Sequence, residues 1–278
     1  MPELPEVHTI AEDLKKKITG RQIVEVYYTG EGQKLISKTG QDLTNVLAGE
    51  KINGVKRKAK YLILDLGGEN KFLIFHLKLT GRVLVRDGTH PADEFTRLVL
   101  KLDDGRQIRF ADRNGFGEVF LSANVDDIGP GLGPDPFEVT NKQFHIILGK
   151  SSKATIKEAL LDQSLVSGIG NIYADEALYL AKINPFRPPG SLSPDAKSRL
   201  LGAIKAVLRE GIKHRGTTID SFRDTDGRPG THQFHLLVYG KTGKPCKRCA
   251  TAIEYTEIKS RRTHFCPTCQ PKDQLSFF

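Results

Sequence analysis

The sequence predicts an α+β protein with a β-rich N-terminal domain, a helical second domain and a small metal-binding segment at its C terminus. Short runs rich in β-branched and aromatic residues, separated by turn residues, fill the region from about residue 21 to residue 122. Beyond a cluster of Gly and Pro at 128–136, apolar residues recur every three or four positions, as in amphipathic helices. All four cysteines lie after residue 245.

Length, composition and charge narrow the class of protein. A chain of 278 residues is long enough for two domains, and 38% apolar with 27% charged residues is typical of a folded soluble protein. No apolar run is long enough to cross a membrane, and the N terminus lacks the features of a secretory signal, so we expect a cytoplasmic protein. The net charge of +9 favours a polyanionic partner, nucleic acid first.

The N-terminal domain is predicted to begin with a helix. Val7, Ile10, Leu14 and Ile18 are three or four residues apart, which predicts an amphipathic helix over residues 5–18. The β-rich runs that follow are RQIVEVYYTG, YLILDLGG, KFLIFHL, RVLVRDG, RLVLKLDDG, RQIRFAD and GEVFLSA. Strands at this spacing predict a sandwich or a barrel.

Helical periodicity dominates the second domain. The predicted helices cover residues 140–149, 153–162, 171–182 and 194–213. In the last of them, Ser193 is placed to cap the N terminus and Pro194 suits the first helical position. We predict domain boundaries at 1–127, 128–235 and 236–278, with a short tail after Gln270.

The cysteines predict a structural zinc site. Cys246, Cys249, Cys266 and Cys269 form two Cys-x2-Cys pairs separated by sixteen residues. This spacing matches a tetrahedral site of four thiolates, which leaves no coordination position for a catalytic water. His264 lies close in sequence as a possible competing ligand.

The N terminus offers a possible nucleophile. If Met1 is removed, as is usual before a small residue, Pro2 carries a secondary amine that titrates nearer neutrality than a lysine and can attack an aldehyde-like carbon. Glu3 and Glu6 lie within one helical turn and can exchange a proton with it. The alternative is purely structural, with Pro2 at a helix start and both glutamates favouring the positive end of its dipole.

Basic residues form three further candidates. In the segment 55–61, extended backbone would place Lys56, Lys58 and Lys60 on one face for phosphate contacts, although an edge strand protected by lysines has the same pattern.

The second and third candidates lie in the C-terminal half. A Gly-rich turn before Asn171, with Lys153 upstream, suits a phosphate clamp or a simple tight helix connection. Arg261, in the cysteine segment, can offer a bidentate fork to phosphate or belong to a solvated face.

Together these motifs resemble one family, the formamidopyrimidine-DNA glycosylases, also called Fpg or MutM, of bacterial base excision repair. The resemblance extends from residue 1 to about residue 270. Its carriers are MPELPEV, KRKAKYL, ATIKEALLDQSLVSGIGNIYADEAL, DGRPG followed by VYG, CKRC and RRTHFCPTC. It implies an N-terminal β-sandwich with flanking helices, a helix-two-turn-helix domain and a C-terminal zinc-binding β-hairpin, with damaged double-stranded DNA bound between domains.

The resemblance also implies roles in catalysis. Pro2 would attack the sugar carbon that held an oxidised purine such as 8-oxoguanine, and Glu3 would supply a proton that helps open the sugar ring. The resulting iminium would permit strand cleavage by β- and δ-elimination at the abasic site. Lys60 would assist at the lesion, and Arg261 would grip the phosphates there.

Other positions match DNA contacts of the family. Lys153 and Asn171 match contacts to the DNA backbone, while Glu176 and the stretch 217–234, like Glu6, resemble the region around the flipped base. Phe116 matches the family's wedge aromatic.

Three places depart from the family. Asn114 stands near the position of a usual arginine, and Leu79 stands where methionine is common. The run Asp93-Glu94-Phe95 occupies a region that often holds a DNA-contacting histidine. We therefore expect base removal to be retained and discrimination of the opposite base to be relaxed or altered.

Two alternatives remain at this point. Endonuclease VIII (Nei), which removes oxidised pyrimidines, shares Pro2, Glu3 and the zinc hairpin. A zinc-dependent DNA-binding protein without catalysis would keep the basic surface and lack the amine chemistry. In every case we expect a monomer.

Overall fold

A computed structural model describes residues 1–36, 42–67 and 71–272. The chain divides into two compact units, each built from two segments. The N-terminal unit consists of Met1–Pro130 with Gly211–Gln233, and the second unit consists of Gly131–Glu210 with Phe234–Phe278. The boundaries predicted from the sequence divide the chain into three continuous domains, whereas both units are discontinuous. Those boundaries therefore remain predictions. The tail after residue 272 lies outside the described residues.

The N-terminal unit contains three helices and eight strands in its described part. The elements are α1 (Leu4–Ile18), β1 (Ile23–Tyr28), α2 (Gly32–Ile36), α3 (Leu43–Leu47), β2 (Gly54–Lys58), β3 (Tyr61–Asp65), β4 (Phe72–His76), β5 (Arg82–Asp87), β6 (Thr96–Leu102), β7 (Arg106–Ala111) and β8 (Glu118–Ser122). All seven β-rich runs of the sequence contain a strand.

The strands form two antiparallel four-stranded sheets, in the orders β1-β6-β7-β5 and β2-β3-β4-β8. Both sheets contribute to one apolar core, and Phe75 of one sheet packs against Phe110 of the other with ring centroids 5.8 Å apart. The predicted sandwich with flanking helices is therefore confirmed. Helix α1 adds its apolar stripe to the same core through Val7, Ile10 and Leu14.

The second unit is helical before its C-terminal hairpin. Its elements are α4 (Asn141–Lys150), α5 (Ile156–Leu161), α6 (Asn171–Leu180), α7 (Pro194–Lys213), which extends past the unit boundary, β9 (Glu254–Ile258) and β10 (Arg261–Phe265). Thr140 with Gln143, and Thr155 with Glu158, form capping boxes that begin α4 and α5. The predicted cap of α7 is also present, because Ser193 Oγ accepts a hydrogen bond from Ala196 N–H at 3.2 Å.

Strands β9 and β10 pair as an antiparallel hairpin joined by Lys259 and Ser260. Both linking residues have positive φ, 46° and 59°, as a tight two-residue hairpin turn requires. Within the described ranges, no helix combines the length and apolar character that a membrane span needs.

Candidate functional site

The first turn of α1 is a buried acidic cluster. Pro2, Glu3 and Glu6 are all buried, with only 2% of Glu3 and 1% of Glu6 exposed. Glu6 Oε2 accepts a hydrogen bond from the Glu3 backbone N–H at 2.7 Å, the returning half of a capping box. The start of the helix therefore holds two buried carboxyl groups close to Pro2 in the chain.

Glu6 also joins this helix to a distant part of the same unit. Its Oε1 accepts a hydrogen bond from the Thr217 backbone N–H at 2.6 Å. The neighbouring Gly216 has φ +84°, and a Cβ there would lie 2.9 Å from Glu6 Cγ and 2.8 Å from the Phe222 ring. Glycine is needed here for its conformation and for the close approach of the glutamate.

Lys60 lies at the turn between β2 and β3. Strand β2 ends at Lys58, which pairs with Tyr61, and Ala59 has φ +53°. The prediction of an extended segment with three lysines on one face is therefore wrong, because the chain reverses at Ala59, before Lys60. Lys60 is 6% exposed, while Lys56 pairs with Asp65 at 3.6 Å on the strand surface.

The loop after β7 is shaped by one buried carboxylate. Asp112 Oδ2 accepts from Gly117 N–H at 2.7 Å, and its Oδ1 accepts from the Thr80 hydroxyl. These bonds hold the turn that carries Asn114 and Phe116. The Phe116 ring is 53% exposed, as a wedge that enters DNA would have to be.

Leu79 is likewise prominent on the surface of this unit. It is 43% exposed, and its carbonyl accepts a hydrogen bond from the Ser221 hydroxyl at 3.1 Å. Two of the positions that depart from the family are thus tied to Thr80. Leu79 precedes it in the chain, and the Asn114 backbone N–H donates to the Thr80 hydroxyl at 3.1 Å.

In the second unit, Lys153 and Asn171 are already engaged with protein groups. Lys153 Nζ lies 2.7 Å from Asp162 Oδ2, and Asn171 Nδ2 donates to the Arg262 carbonyl at 2.9 Å. Asn171 is the first residue of α6, and the Gly-rich turn before it contains Gly168 with φ +88°. The amide of Asn171 thus connects the helix start to the zinc hairpin.

Arg261 begins β10 and lines a groove of about 240 Å³ together with Lys153 and Lys259. Two carboxylates in the same groove pair with these lysines. Asp162 pairs with Lys153 at 2.7 Å, and Glu158 pairs with Lys259 at 2.9 Å. Arg261 is exposed, and none of the ion pairs in the described ranges includes it. The structure therefore brings Lys153 and Arg261 into one basic groove.

Glu176 is buried and acts on the backbone around it. Its carboxylate accepts hydrogen bonds from the N–H groups of Leu237, Val238 and Tyr239, at 2.8–2.9 Å. Burial raises the pKa of Glu176, and the three N–H donors act in the opposite direction. Glu176 thus fixes the VYG turn that the sequence analysis singled out.

A buried network next to Glu176 was not found from the sequence. Asp175 Oδ1 accepts a hydrogen bond from Lys157. Asp175 Oδ2 accepts one from the His264 backbone N–H at 2.9 Å and one from the His264 ring Nδ1 at 3.0 Å. The network connects α5 and α6 to β10. A lysine and an aspartate eighteen residues apart carry no local signal, so only the packing of the helices reveals the pair.

The four cysteines converge at one point. Their Sγ atoms lie within 4.8 Å of one another, with Cys246 to Cys269 at 3.8 Å and Cys249 to Cys266 at 3.5 Å. A tetrahedron of thiolates about 2.3 Å from zinc has sulfur separations of about 3.8 Å. The donor set fits structural zinc. His264 is not among the residues that converge there, and its Nδ1 contacts Asp175.

Comparisons with known proteins assign the chain to a family. Family models match three consecutive regions: the formamidopyrimidine-DNA glycosylase N-terminal domain at residues 1–119, the H2TH domain of the same enzymes at 132–223, and the zinc finger found in FPG and IleRS at 243–272. The formamidopyrimidine-DNA glycosylase of Herpetosiphon aurantiacus is 44% identical over 275 residues, which cover 97% of this chain and 100% of that protein. The chain belongs to the formamidopyrimidine-DNA glycosylase family.

Solved structures of formamidopyrimidine-DNA glycosylases agree with this assignment. The Lactococcus lactis Fpg complex with abasic-site DNA is 35% identical, has a TM-score of 0.87 and covers 97% of this chain and 100% of its own. A MutM complex with DNA that contains carbocyclic 8-oxo-G is 36% identical, has a TM-score of 0.86 and covers 98% and 100%. The zinc finger match and the four converging thiolates together establish a structural zinc site.

The predicted residues of this formamidopyrimidine-DNA glycosylase family member fall into two groups. Pro2, Glu3, Glu6 and Lys60, with the loop of Asn114 and Phe116, belong to the N-terminal unit. The second unit holds Lys153, Asn171, Glu176, Arg261 and the cysteines. The carboxylates that organise these groups, Asp112 and Asp175, were missed because each acts on backbone or buried partners rather than through a recognisable motif.

Proposed function

We propose that the protein is a bifunctional DNA glycosylase and abasic-site lyase of base excision repair that removes oxidised purines. The observation that carries the proposal is the buried group of Pro2, Glu3 and Glu6, in which Glu6 is tied both to the helix start and to Thr217. Likeness to enzymes solved with abasic-site and 8-oxo-G DNA supports the substrate class.

The chemistry begins at Pro2 once Met1 has been removed. The lone pair of the secondary amine attacks the sugar carbon C1′, and the bond from C1′ to the base breaks with its electrons leaving on the base. The attacking nitrogen gives up its proton, which balances the negative charge on the departed base, and so regains a lone pair. Glu3 donates a proton to the ring oxygen, the ring opens, and the nitrogen lone pair forms the iminium. A carboxyl group beside the amine is suited to donate this proton, because the proton transfer needs no rearrangement of the helix.

The iminium then permits strand cleavage. It acidifies the adjacent carbon, loss of that proton expels the 3′ phosphate in β-elimination, and a second proton loss expels the 5′ phosphate in δ-elimination. Lys60 assists at the lesion, and Arg261 holds phosphate during the second elimination. Hydrolysis of the remaining iminium returns the free amine.

Recognition of DNA is shared among the other predicted residues. Lys153 and Asn171 contact the backbone, Phe116 enters the stack, and Asn114 faces the opposite base. Glu176 acts at the lesion region through the turn of Leu237–Tyr239 that it holds. We expect a monomeric, cytoplasmic enzyme.

Borohydride trapping tests the proposal. Protein is incubated with a duplex that contains 8-oxoguanine opposite cytosine while borohydride reduces any iminium to a stable bond, and the crosslink is mapped by mass spectrometry. A crosslink at Pro2 is expected. Absence of trapping on both this duplex and an abasic duplex would leave a non-catalytic zinc-dependent DNA-binding protein, and trapping on oxidised pyrimidines alone would favour the Nei activity.

A further inference from the structure

A small cationic pocket lies in the N-terminal unit, apart from Pro2 and its neighbours in the sequence. Its volume is about 130 Å³, and its wall includes Thr80, Arg82, Phe95, Arg113 and Ser221. Two guanidinium groups therefore open into one recess, beside an aromatic ring that is 46% exposed.

Arg82 is fixed in this pocket and has no carboxylate partner. Its Nε donates to the Ser221 carbonyl at 2.8 Å, and this is the one hydrogen bond of its guanidinium to the described residues. The ion pairs of the described ranges do not include Arg82. The two terminal nitrogens are thus held in place without a protein acceptor, and they form a fork suited to phosphate oxygens.

Two further arginines are close to Arg82, and of these Arg113 lines the pocket. Arg113 Nη2 reaches Asp220 Oδ2 at 3.2 Å, and Arg223 Nη1 donates to the Phe222 carbonyl at 2.7 Å. The nearby Asp93 is committed to other cations, Arg86 and Arg109, each at 3.0 Å. Exposed Glu94 also lines the pocket and forms no ion pair with Arg82.

These charges do not cancel. Burial, and then the neighbouring cations Arg223 and Arg113, lower the pKa of Arg82, while the carboxylates of Asp220 and Asp93 act in the opposite direction. A bound anion would relieve the repulsion among the three guanidinium groups.

We propose that Arg82, Arg113 and Arg223 bind one phosphodiester of the DNA duplex, as a subsite distinct from the basic groove of Arg261. The inference rests on the proposed function, because it takes the duplex as the ligand. A nucleic-acid phosphate suits the pocket better than a base, because Arg82 and Arg113 line the recess, Arg223 is a further cation close to Arg82, and phosphate accepts a fork from more than one arginine.

Salt dependence of binding to an undamaged duplex tests the proposal in the full-length protein. Arg113→Gln removes one exposed cation, and the slope of log K against log salt is expected to fall by about 0.9, which corresponds to about fivefold weaker binding at 0.15 M salt. Lys101→Gln is the matched control, since Lys101 is a partly exposed cation of the same unit paired with Glu25 at 2.8 Å. The control slope is expected to stay near that of the wild-type protein.

A second variant shifts the affinity in the opposite direction. Asp220→Asn frees Arg113 from its carboxylate, so binding is expected to become tighter. Ethylation of individual phosphates gives a further check, because one modified phosphate that weakens wild-type binding is expected to have no effect on Arg113→Gln.

The outcomes separate this proposal from the general function. A slope for Arg113→Gln equal to that of Lys101→Gln would overturn the phosphate subsite. Failure of the wild-type protein to bind DNA at all would instead overturn the proposed function.

Discussion

Glu6 Oε1 accepts a hydrogen bond from the backbone N–H of Thr217 at 2.6 Å, although the two residues are 211 positions apart. The other oxygen of the same carboxylate accepts from the Glu3 N–H at 2.7 Å. One side chain therefore sets the position of the helix start beside Pro2 and the position of the segment that resembles the lesion-binding region.

Glu6→Gln tests this double role. An amide has one acceptor oxygen, so its NH2 group would face one of the two N–H donors and one hydrogen bond would be lost. We expect a loss of about 1–3 kcal/mol in the free energy of unfolding and slower trapping on 8-oxoguanine DNA. Thermal unfolding measures the change in stability, and the rate of borohydride trapping measures the change in activity. Glu12→Gln, on the exposed face of the same helix, is the control, and equal effects of the two variants would contradict the role of Glu6.

A blocked N terminus tests the nucleophile. A short extension before Pro2 converts its amine into an amide without a nucleophilic lone pair, so borohydride trapping is expected to disappear while DNA binding persists. The same extension placed after Phe278 is the control. Mass spectrometry of active protein is expected to show that Met1 is absent, and an intact Met1 in active enzyme would refute the role of Pro2.

Removal of zinc is expected to unfold the C-terminal hairpin. Structural zinc sites contribute about 10–16 kcal/mol of folding free energy in small peptides, and β9 and β10 carry Arg261. A strong chelator, or Cys249→Ala, should lower zinc content and DNA affinity together. Metal analysis combined with a binding assay measures both, and full DNA affinity in metal-free protein would be inconsistent with this role.

Asp162 is expected to limit the contribution of Lys153 to DNA binding. Asp162→Asn removes the carboxylate that lies 2.7 Å from Lys153 Nζ, so duplex affinity should rise severalfold. Asp195→Asn, an exposed position of the same unit, changes net charge equally and serves as the control. If both variants bind equally well, the groove is not part of the DNA contact.

The ion pair between Lys153 and Asp162 predicts that the stability of the protein depends on pH. Hydrogen bonds from Lys153 and Ser164 lower the pKa of Asp162 to about 2. Because the folded pKa lies below the ordinary value, the stabilisation is present above about pH 4 and is lost as pH falls towards 2. The effect is small because the pair is partly exposed to solvent. Asp162→Asn should weaken this acid sensitivity in unfolding experiments across that range.

Discrimination of the opposite base is expected to be relaxed or altered. Asn114 offers a shorter side chain and no guanidinium fork, and Leu79 is exposed where a methionine is usual. Rates of 8-oxoguanine removal opposite each of the four bases give the measurement. A strong preference for cytosine would contradict the expectation, and Asn114→Arg should then have little effect.

Local patterns were sufficient to predict most elements of the fold. The β-rich runs all contain strands, and the cap at Ser193 follows from residue type and spacing. The cysteine spacing predicted a zinc site whose sulfur atoms indeed converge. Such features depend on neighbours within a few residues.

Features that depend on distant segments could not be predicted. The chain reversal at Ala59, which removes Lys60 from the strand face, has no glycine to announce it, since an alanine adopts the positive φ. The contacts of Asp175 with Lys157 and His264, and of Glu6 with Thr217, form only when separate segments pack together.

Each of the two units is built from two separate segments of the chain, and this limits the positions at which the gene can be cut or recombined. A fragment that stops at residue 130 would contain Pro2, Glu3 and Glu6 but not residues 211–233, and it would therefore lack the N–H group of Thr217 that Glu6 requires. A chimera with a related enzyme preserves the N-terminal unit only if both segments come from the same parent. Recombination is thus expected to give functional offspring when residues 131–210 and 234–278 are exchanged together, and to fail when a single crossover falls within residues 131–210.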